Sequence, residues 1–108
     1  DGEPAVTMRR IGKGKAIYAG TYLTDELTER LADLLRDDGV LPLLPDAPET
    51  VEVTERIGAN GERLLFILNT TDEPASVTLA APATDLLTGT SHSGTLELGA
   101  YGVSVLQP

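Results

Sequence analysis

The stretch Gly61–Leu79, GERLLFILNTTDEPASVTL, contains an apolar run, a polar break and an alternating run. Leu64–Leu68 lacks polar alternation, as expected for a strand covered on both faces, and Val77 and Leu79 resume a period of two. The residues between them include Asn, Asp and Pro, which are common turn formers. The stretch therefore predicts a β-hairpin, with Phe66 of its first strand in a hydrophobic core.

Short strands with similar spacing are predicted on both sides of this hairpin. Val51–Ile57 alternates apolar with polar residues up to a glycine-containing turn at 58–61. Three further strands are predicted at Asp85–Leu87, Thr95–Leu98 and Val103–Leu106, separated by glycine turns. This arrangement favours a small antiparallel β-sandwich, because two sheets can bury the inward rows of each other.

The first part of the chain has a different pattern. Strand-like runs at Ala5–Ile11 and Lys15–Ala19 flank Gly12-Lys13-Gly14, which predicts a second hairpin. Thr24 is a suitable N-cap and Gly39 a suitable residue to follow the C-terminus of a helix. One face of that helix is apolar, formed by Leu27, Leu31, Leu34 and Leu35.

A proline-containing segment separates these two patterns. Leu41–Glu49 includes three prolines, whose fixed φ and missing N–H groups favour an extended connector. The predicted fold is therefore mainly β with one α-helix. A hairpin and helix occupy residues 1–45, and an antiparallel β-sandwich occupies residues 46–108.

The composition excludes several classes of function. The chain has 108 residues, 41% of them hydrophobic, and no apolar run approaches the roughly 18 residues of a membrane helix. Its net charge of -9 disfavours nucleic acid and anionic lipid as partners. Cys is absent, so disulfides and thiolate metal sites are excluded. The start at Asp1 without Met suggests a processed product, an excised piece or a designed chain.

Several segments resemble one enzyme family. PAVTMRRIGKGKAIYAGTYL, residues 4–23, resembles the closing segment of the trimerisation domain in glycoside hydrolase family 42 β-galactosidases, a glutamine-amidotransferase-like α/β domain. Residues 51–79, the DLLTG motif at 85–89 and LELGAYGVSVL at 96–106 look like the small C-terminal β-domain of the same family. Their order and spacing also agree with that domain.

The resemblance implies a role within a larger protein. The parent would be a bacterial β-galactosidase, expected in the cytoplasm, that hydrolyses terminal β-galactosides with two glutamates on a catalytic barrel. No position here matches either glutamate motif, so no catalytic residue is carried over, and no cofactor-binding or metal-binding residue is expected either. The expected partners are the parent's barrel and trimerisation domain. Because the first hairpin and helix would have lost most of their sheet, self-association through residues 5–40 is also expected.

The chain's own polar residues offer only weak candidates for chemistry. Glycoside hydrolysis needs two carboxyl groups, about 5 Å apart in retaining enzymes or roughly 6.5–9.5 Å apart in inverting ones, one of them with a raised pKa. The adjacent or nearby acids are interpreted as solvated surface: Asp37 with Asp38, Glu52 with Glu55, and Asp72 with Glu73. His92 is the only histidine and is predicted in a turn.

Two glycine segments and one asparagine motif have structural interpretations as well. Gly12-Lys13-Gly14-Lys15 lacks the spacing of a phosphate-binding loop and is interpreted as a hairpin turn. Gly20 lies before the helix, where an anion could bind, but is interpreted as a plain connection. Asn69-Thr70-Thr71 fits the N-glycosylation pattern and is interpreted as the polar corner of the hairpin.

A carbohydrate-binding β-sandwich module is the alternative to a structural role. Such modules usually present aromatic faces to sugars, and the chain has no Trp, one Phe and three Tyr. Tyr18 and Tyr22 belong to the first part of the chain. Tyr101, between glycine-rich residues, is expected to pack against one end of the sandwich, with a partner domain as the other possibility.

Overall fold

The structure, a computed structural model, describes residues 4–108 in two compact units, one ending at Val40 and one running from Leu41 to Pro108. The first unit contains strands β1 (Val6–Ile11) and β2 (Gly14–Ala19) and helix α1 (Asp25–Asp37). The second contains β3 (Val51–Ile57), β4 (Arg63–Asn69), β5 (Ala75–Thr78), β6 (Ala83–Asp85), β7 (Ser91–His92), β8 (Thr95–Leu98) and β9 (Val103–Gln107).

The first unit has the predicted hairpin and helix. β1 and β2 pair antiparallel around Gly12, whose φ of 58° is readily adopted by glycine. The Thr24 hydroxyl accepts a hydrogen bond from the Leu27 N–H at 3.2 Å, so Thr24 is the N-cap. Gly39, at φ 84°, ends the helix, and its N–H donates to the Arg36 carbonyl. Both predicted helix boundaries are confirmed.

The apolar face of α1 is incompletely covered. The helix has no buried residue, and the side chains of Leu34 and Leu35 are 41% and 48% exposed. Lys15 on β2 forms an ion pair with Asp38 at the end of the helix. Within this unit, the apolar stripe therefore keeps much of its surface in contact with water.

The second unit is an antiparallel β-sandwich. One sheet has five strands in the order β3-β4-β9-β6-β7, and the other pairs β5 with β8. Ile67 and Leu106 of the large sheet are 0% exposed, and Val77 and Leu96 of the small sheet are 1% exposed. These side chains belong to one hydrophobic core, so the sandwich and the mainly β fold are confirmed.

Phe66 does not belong to this core. Along β4 the buried positions are Leu65, Ile67 and Asn69, whereas Phe66 is only partly buried. Successive side chains of a strand point to opposite faces, so Phe66 lies on the outer face of the large sheet. The prediction of a core Phe66 was wrong because an unbroken apolar run does not indicate which alternate residues point inward.

The segment around the predicted strand Asp85–Leu87 also differs. β6 ends at Asp85, and the chain then turns through Leu86 and Leu87. His92, predicted in a turn, lies on the short strand β7 and pairs with Ala83. The polar side chain of Asp85 is buried in a strand, against the usual preference of aspartate for exposed turns.

Candidate functional site

The paired carboxylates do not form a hydrolytic centre. Glu52 and Glu55 are three residues apart on β3, so their side chains leave opposite faces of the sheet. Glu55 forms an ion pair with Arg63 of β4. Asp38 is paired with Lys15 in the first unit, and Asp72 and Glu73 lie exposed in the loop after β4. Asp37, Asp38, Glu52, Asp72 and Glu73 are thus exposed, as interpreted, whereas Glu55 is partly buried beside Arg63.

The most buried acid, Asp85, has a different environment. Asp85 and Ser104 are 3% and 4% exposed, and the Ser104 hydroxyl donates to Oδ2 of Asp85 at 2.9 Å. The Leu87 N–H donates to Oδ1 at 2.9 Å and fixes the turn that follows β6. In a catalytic triad the serine would instead face a histidine held by the aspartate. The group therefore connects β6, β9 and the turn, and has no triad geometry.

The pKa of Asp85 reflects these contacts. Burial acts to raise the pKa, because it disfavours the charged form. The hydrogen bonds from Leu87, Ser104 and the backbone of Val105, with a smaller effect of the charge of His92, outweigh burial. The pKa of Asp85 is consequently lowered from its ordinary value, and the carboxylate is ionised at neutral pH.

Asp85 should therefore stabilise the sandwich less in acid. A lowered folded-state pKa gives a contribution that is complete above the unfolded-state value of about 3.9 and is lost as pH falls through the folded-state pKa. Asp85→Asn should remove this pH dependence of stability. The parent chain should therefore have the higher Tm at pH 6, and its advantage over the variant should shrink as the pH is lowered to 3. Thermal unfolding followed by circular dichroism measures it. A difference that stays constant over this range would contradict the role given to Asp85.

Sequence reasoning missed the pair of Asp85 and Ser104. The available signal was local: Asp85 comes three residues before Thr88-Gly89, and aspartate often caps such a turn by accepting from the N–H two residues on. Ser104 gave no signal, because its contact with Asp85 spans 19 residues. A pairing over that distance depends on the order of strands in the sheet.

Asn69 fastens two loops at one end of the sandwich. Its Nδ2 donates to the carbonyl of Glu73 at 2.7 Å and to that of Gly99 at 2.9 Å. Its Oδ1 accepts from the backbone N–H and the hydroxyl of Thr71 at 3.2 and 3.1 Å. Asn69 is 3% exposed, so Nδ2 is inaccessible to a glycosyl group in the folded chain. Asn69 is therefore a polar corner, as interpreted, but it is not the corner of a hairpin. β4 pairs with β3 and β9, whereas β5 pairs with β8 in the other sheet, so the predicted β-hairpin of residues 61–79 was wrong: the turn carries the chain from one sheet to the other.

The neighbouring corner carries an exposed tyrosine. Tyr101 is 65% exposed, so the expectation that it packs on the sandwich was wrong. Its φ of 50° lies in the left-handed region, which is uncommon for a bulky residue, and its N–H donates to the Thr71 carbonyl at 2.8 Å. A Cβ at Gly102 would lie 2.9 Å from the Gly99 carbonyl oxygen, so residue 102 has no room for a side chain.

The remaining candidates have structural explanations. Gly12 and Lys13 form the hairpin turn interpreted from the sequence, and Gly14 and Lys15 already belong to β2. The Gly20 N–H donates to the Ala5 carbonyl at 2.8 Å, so that group is used within the first unit. Tyr18 and Tyr22 are 72% and 94% exposed. In the second unit, Tyr101 is the one exposed aromatic side chain, a small platform for a sugar.

Residues 4–108 contain neither a cluster of three or more His, Cys, Asp or Glu suited to a metal ion nor a helix with the length and apolar character of a bilayer span.

A cavity of about 80 Å³ lies in the second unit. Its lining is mostly apolar and offers few partners for sugar hydroxyls. The lining includes Leu43, Leu44, Arg63, Leu65, Leu79, Ala83 and Leu106.

Comparison with curated proteins identifies relatives over almost the whole chain. β-Galactosidase LacZ of Heyndrickxia coagulans is 38% identical over 107 residues, which cover 98% of this chain and 16% of that protein. A β-galactosidase of an Arthrobacter species is 39% identical over 104 residues, covering 95% of this chain and 15% of the relative. The chain therefore spans about one sixth of the length of these enzymes.

Solved structures contain the same fold. A β-galactosidase from Bacillus circulans sp. alkalophilus matches 98% of this chain and 16% of its own at 36% identity, with a TM-score of 0.78. A catalytic mutant of Gan42B, a family 42 β-galactosidase from G. stearothermophilus, matches the same shares at 32% identity and a TM-score of 0.74. Residues 50–108 match the family model described as the β-galactosidase C-terminal domain. The chain therefore belongs to the glycoside hydrolase family 42 β-galactosidases, of which it carries the C-terminal domain.

Proposed function

We propose that this chain is a structural and assembly element of a longer bacterial β-galactosidase that hydrolyses terminal β-galactosides in the cytoplasm. Residues 1–45 would be the end of its trimerisation domain, and residues 46–108 its C-terminal β-domain. The catalytic glutamates would lie on a barrel outside this chain. The observation that carries the proposal is the match of nearly the whole chain to about 16% of enzymes named β-galactosidases.

The internal geometry agrees with a role that is not catalytic. The most buried carboxylate, that of Asp85, is held in its ionised form by hydrogen bonds. A general acid needs the opposite, a raised pKa. Glu52 and Glu55 are on opposite faces of β3, where they could not act on one glycosidic bond. The polar side chains of the sandwich thus support its loops.

Hydrolysis of a chromogenic β-galactoside tests the proposal. We expect turnover by the longer polypeptide encoded with this chain and none by residues 1–108 alone. Turnover by the isolated 108 residues would overturn the proposal, as would an encoded polypeptide that leaves β-galactosides intact. A saturable shift of Tyr101 on titration of the isolated chain with a β-galactoside would instead favour a sugar-binding module.

Residues 5–40 should also mediate self-association of the isolated chain. The β1-β2 sheet has two strands, so each strand leaves one edge unpaired within the sheet, and unpaired edges seek partners. The apolar face of α1 adds Leu34 and Leu35, which are 41% and 48% exposed. Sedimentation should therefore show an average mass that rises with concentration, and deletion of residues 1–40 should abolish the rise.

A pair of helix variants separates association from a general effect of mutation. Replacing Leu34 and Leu35 together with Gln removes apolar surface from the stripe and should weaken association by about tenfold. Glu29→Gln lies on the opposite, charged face of α1 and should leave association unchanged. A monomer at high concentration with α1 still helical would contradict self-association through this segment.

A further inference from the structure

The outer faces of the two sheets differ in character. On the small sheet the outward residues Ser76, Thr78, Thr95 and Glu97 are polar and exposed. Such alternation, apolar inward and polar outward, is expected where an antiparallel sheet faces water. The central strands of the large sheet break this rule. Their outward residues form what we call the outer patch: Leu64, Phe66 and Leu68 of β4, with Val103 and Val105 of β9.

The register makes the outer patch continuous. β4 and β9 are neighbours, and Phe66 lies opposite Val105 while Leu68 lies opposite Val103. Directly opposed side chains have Cβ atoms about 4.5–5.5 Å apart, so these residues form a single surface. Val103 is 48% exposed, and the three β4 residues are only partly buried. Val105 is likewise partly buried, so the outer patch is a continuous apolar surface that is only partly covered within the chain, and apolar surface of this kind marks interaction sites.

Charged residues of opposite sign on the adjacent strand β3 lie beside the two ends of the outer patch. Glu52 of β3 lies opposite Leu68, and Arg56 of β3 lies opposite Leu64. The outer patch is therefore flanked by an acid at one end and a base at the other. A complementary surface would be apolar, with a cation near Glu52 and an anion near Arg56.

The charge balance of the second unit disfavours another copy of the same unit as the occupant. Residues 41–108 contain nine acidic residues and two basic ones, so two copies placed face to face would repel each other. Relatives that contain this segment are about six times longer than the chain. A covalently connected partner is present at an effective concentration in the millimolar range, so a patch of five side chains can suffice for docking.

We propose that the outer patch is the surface by which the C-terminal β-domain docks onto the remainder of its own longer polypeptide. This inference rests on the proposed function and adds the site of contact. The docked surface is apolar and carries a basic group facing Glu52 and an acidic group facing Arg56. The polar outer face of the small sheet remains in water.

Hydrogen exchange of the longer polypeptide and of residues 1–108 tests the docking surface. We expect peptides of β4 and β9 to exchange at least tenfold more slowly in the longer protein, and to gain more protection than the peptides of β5 and β8, which share the core but lie on the other sheet. Equal exchange of β4 and β9 in the two proteins would overturn the proposal. Protection that appears in residues 1–108 only as concentration rises would also overturn it, because a second copy would then be the occupant.

Matched substitutions make the test specific. In the longer protein, Val103→Lys should speed proteolytic release of the β-domain by at least tenfold, while Thr95→Lys, on the polar face, should leave it unchanged. Glu52→Lys should act in the same direction as Val103→Lys, with Glu97→Lys as its control. In residues 1–108 the four variants should keep the circular dichroism of the parent chain. Equal release by Val103→Lys and Thr95→Lys would contradict the proposal.

Measuring β-galactoside hydrolysis by the longer protein distinguishes an error in the docking surface from an error in the proposed function. If the longer protein hydrolyses β-galactosides but β4 and β9 gain no protection, the proposed function stands and the docking surface is wrong. If β4 and β9 are protected but no β-galactoside is hydrolysed, the proposed function fails and the docking surface stands.

Discussion

Ile67→Ala should lower the free energy of unfolding of the β-sandwich by about 3–4 kcal/mol. Ile67 is 0% exposed at the centre of β4, where it packs in the same core as Leu106 and Val77. Truncation to Ala loses the transfer free energy of the deleted methyl and methylene groups, and it leaves a cavity that the sheets can close only in part. A domain of this size has only about 5–15 kcal/mol of net stability, so the loss is large.

Two further variants test how the loss of stability depends on the size and the burial of the deleted group. Ile67→Val removes one methylene group and should cost about 1 kcal/mol. Val103→Ala, at a position that is 48% exposed, should cost less than Ile67→Ala in the isolated chain. Hydrogen exchange of the β4 and β9 amides reports the sandwich separately from the hairpin and helix. A loss below about 1 kcal/mol for Ile67→Ala would contradict the assigned core.

Asn69→Asp should be nearly as damaging, with an expected loss of about 3 kcal/mol at neutral pH. The substitution keeps the shape of the side chain but replaces Nδ2, the donor to Glu73 and Gly99, with an oxygen that cannot donate. A carboxylate oxygen would then face two carbonyl oxygens at a site that is 3% exposed. The loops before β5 and before β9 would both lose their fastening to β4.

Comparison with alanine tests this explanation of Asn69. Asn69→Ala removes the same donors without adding charge and should cost about 2 kcal/mol, less than Asn69→Asp. Thr70→Ala removes one exposed hydrogen bond to the Thr50 carbonyl and should cost less than about 1 kcal/mol. Urea unfolding at pH 7 measures all three. Equal losses for Asn69→Asp and Thr70→Ala would mean that Asn69 does not fasten the loops.

Local signals in the sequence predict the first unit well. The N-cap at Thr24 and the glycine at position 39 act within one turn of the helix, so their effect can be inferred from adjacent residues. The hairpin turn at Gly12 is equally local, because the backbone there needs a positive φ. Hairpin, helix and helix boundaries therefore follow from residues close in sequence.

The faces of the central strand could not be assigned in this way. Leu64–Leu68 is apolar at every position, so its pattern is compatible with either set of alternate residues pointing inward. Pairing with β9 decides the matter, since Leu65 and Ile67 lie opposite Leu106 and Ser104, which are both buried. The orientation of Phe66 towards the outer patch is therefore decided by pairing with β9, a strand about 40 residues away in sequence.

The burial of Asp85 and its contact with Ser104 could not be inferred from neighbouring residues, although the turn that follows Asp85 could. Asp85 is tolerated inside the sandwich because Ser104 and Leu87 donate to its two carboxylate oxygens. Without that knowledge, aspartate and the following Leu-Leu gave no sign that β6 begins at Ala83 and ends at Asp85. Prediction of the outer patch was limited in the same way. The sequence showed the family resemblance, but it did not show which face of the large sheet is apolar and turned outward.

The tight corner of residues 99–102 imposes opposite evolutionary constraints on two adjacent positions. Gly102 has no room for even a methyl group beside Gly99, so replacements there must distort the loop. Tyr101 projects into water from a left-handed backbone, which Asn or Gly would adopt with less strain. Variation among descendants of this chain should therefore accumulate at position 101 and be purged at position 102, although neither side chain contributes to the core.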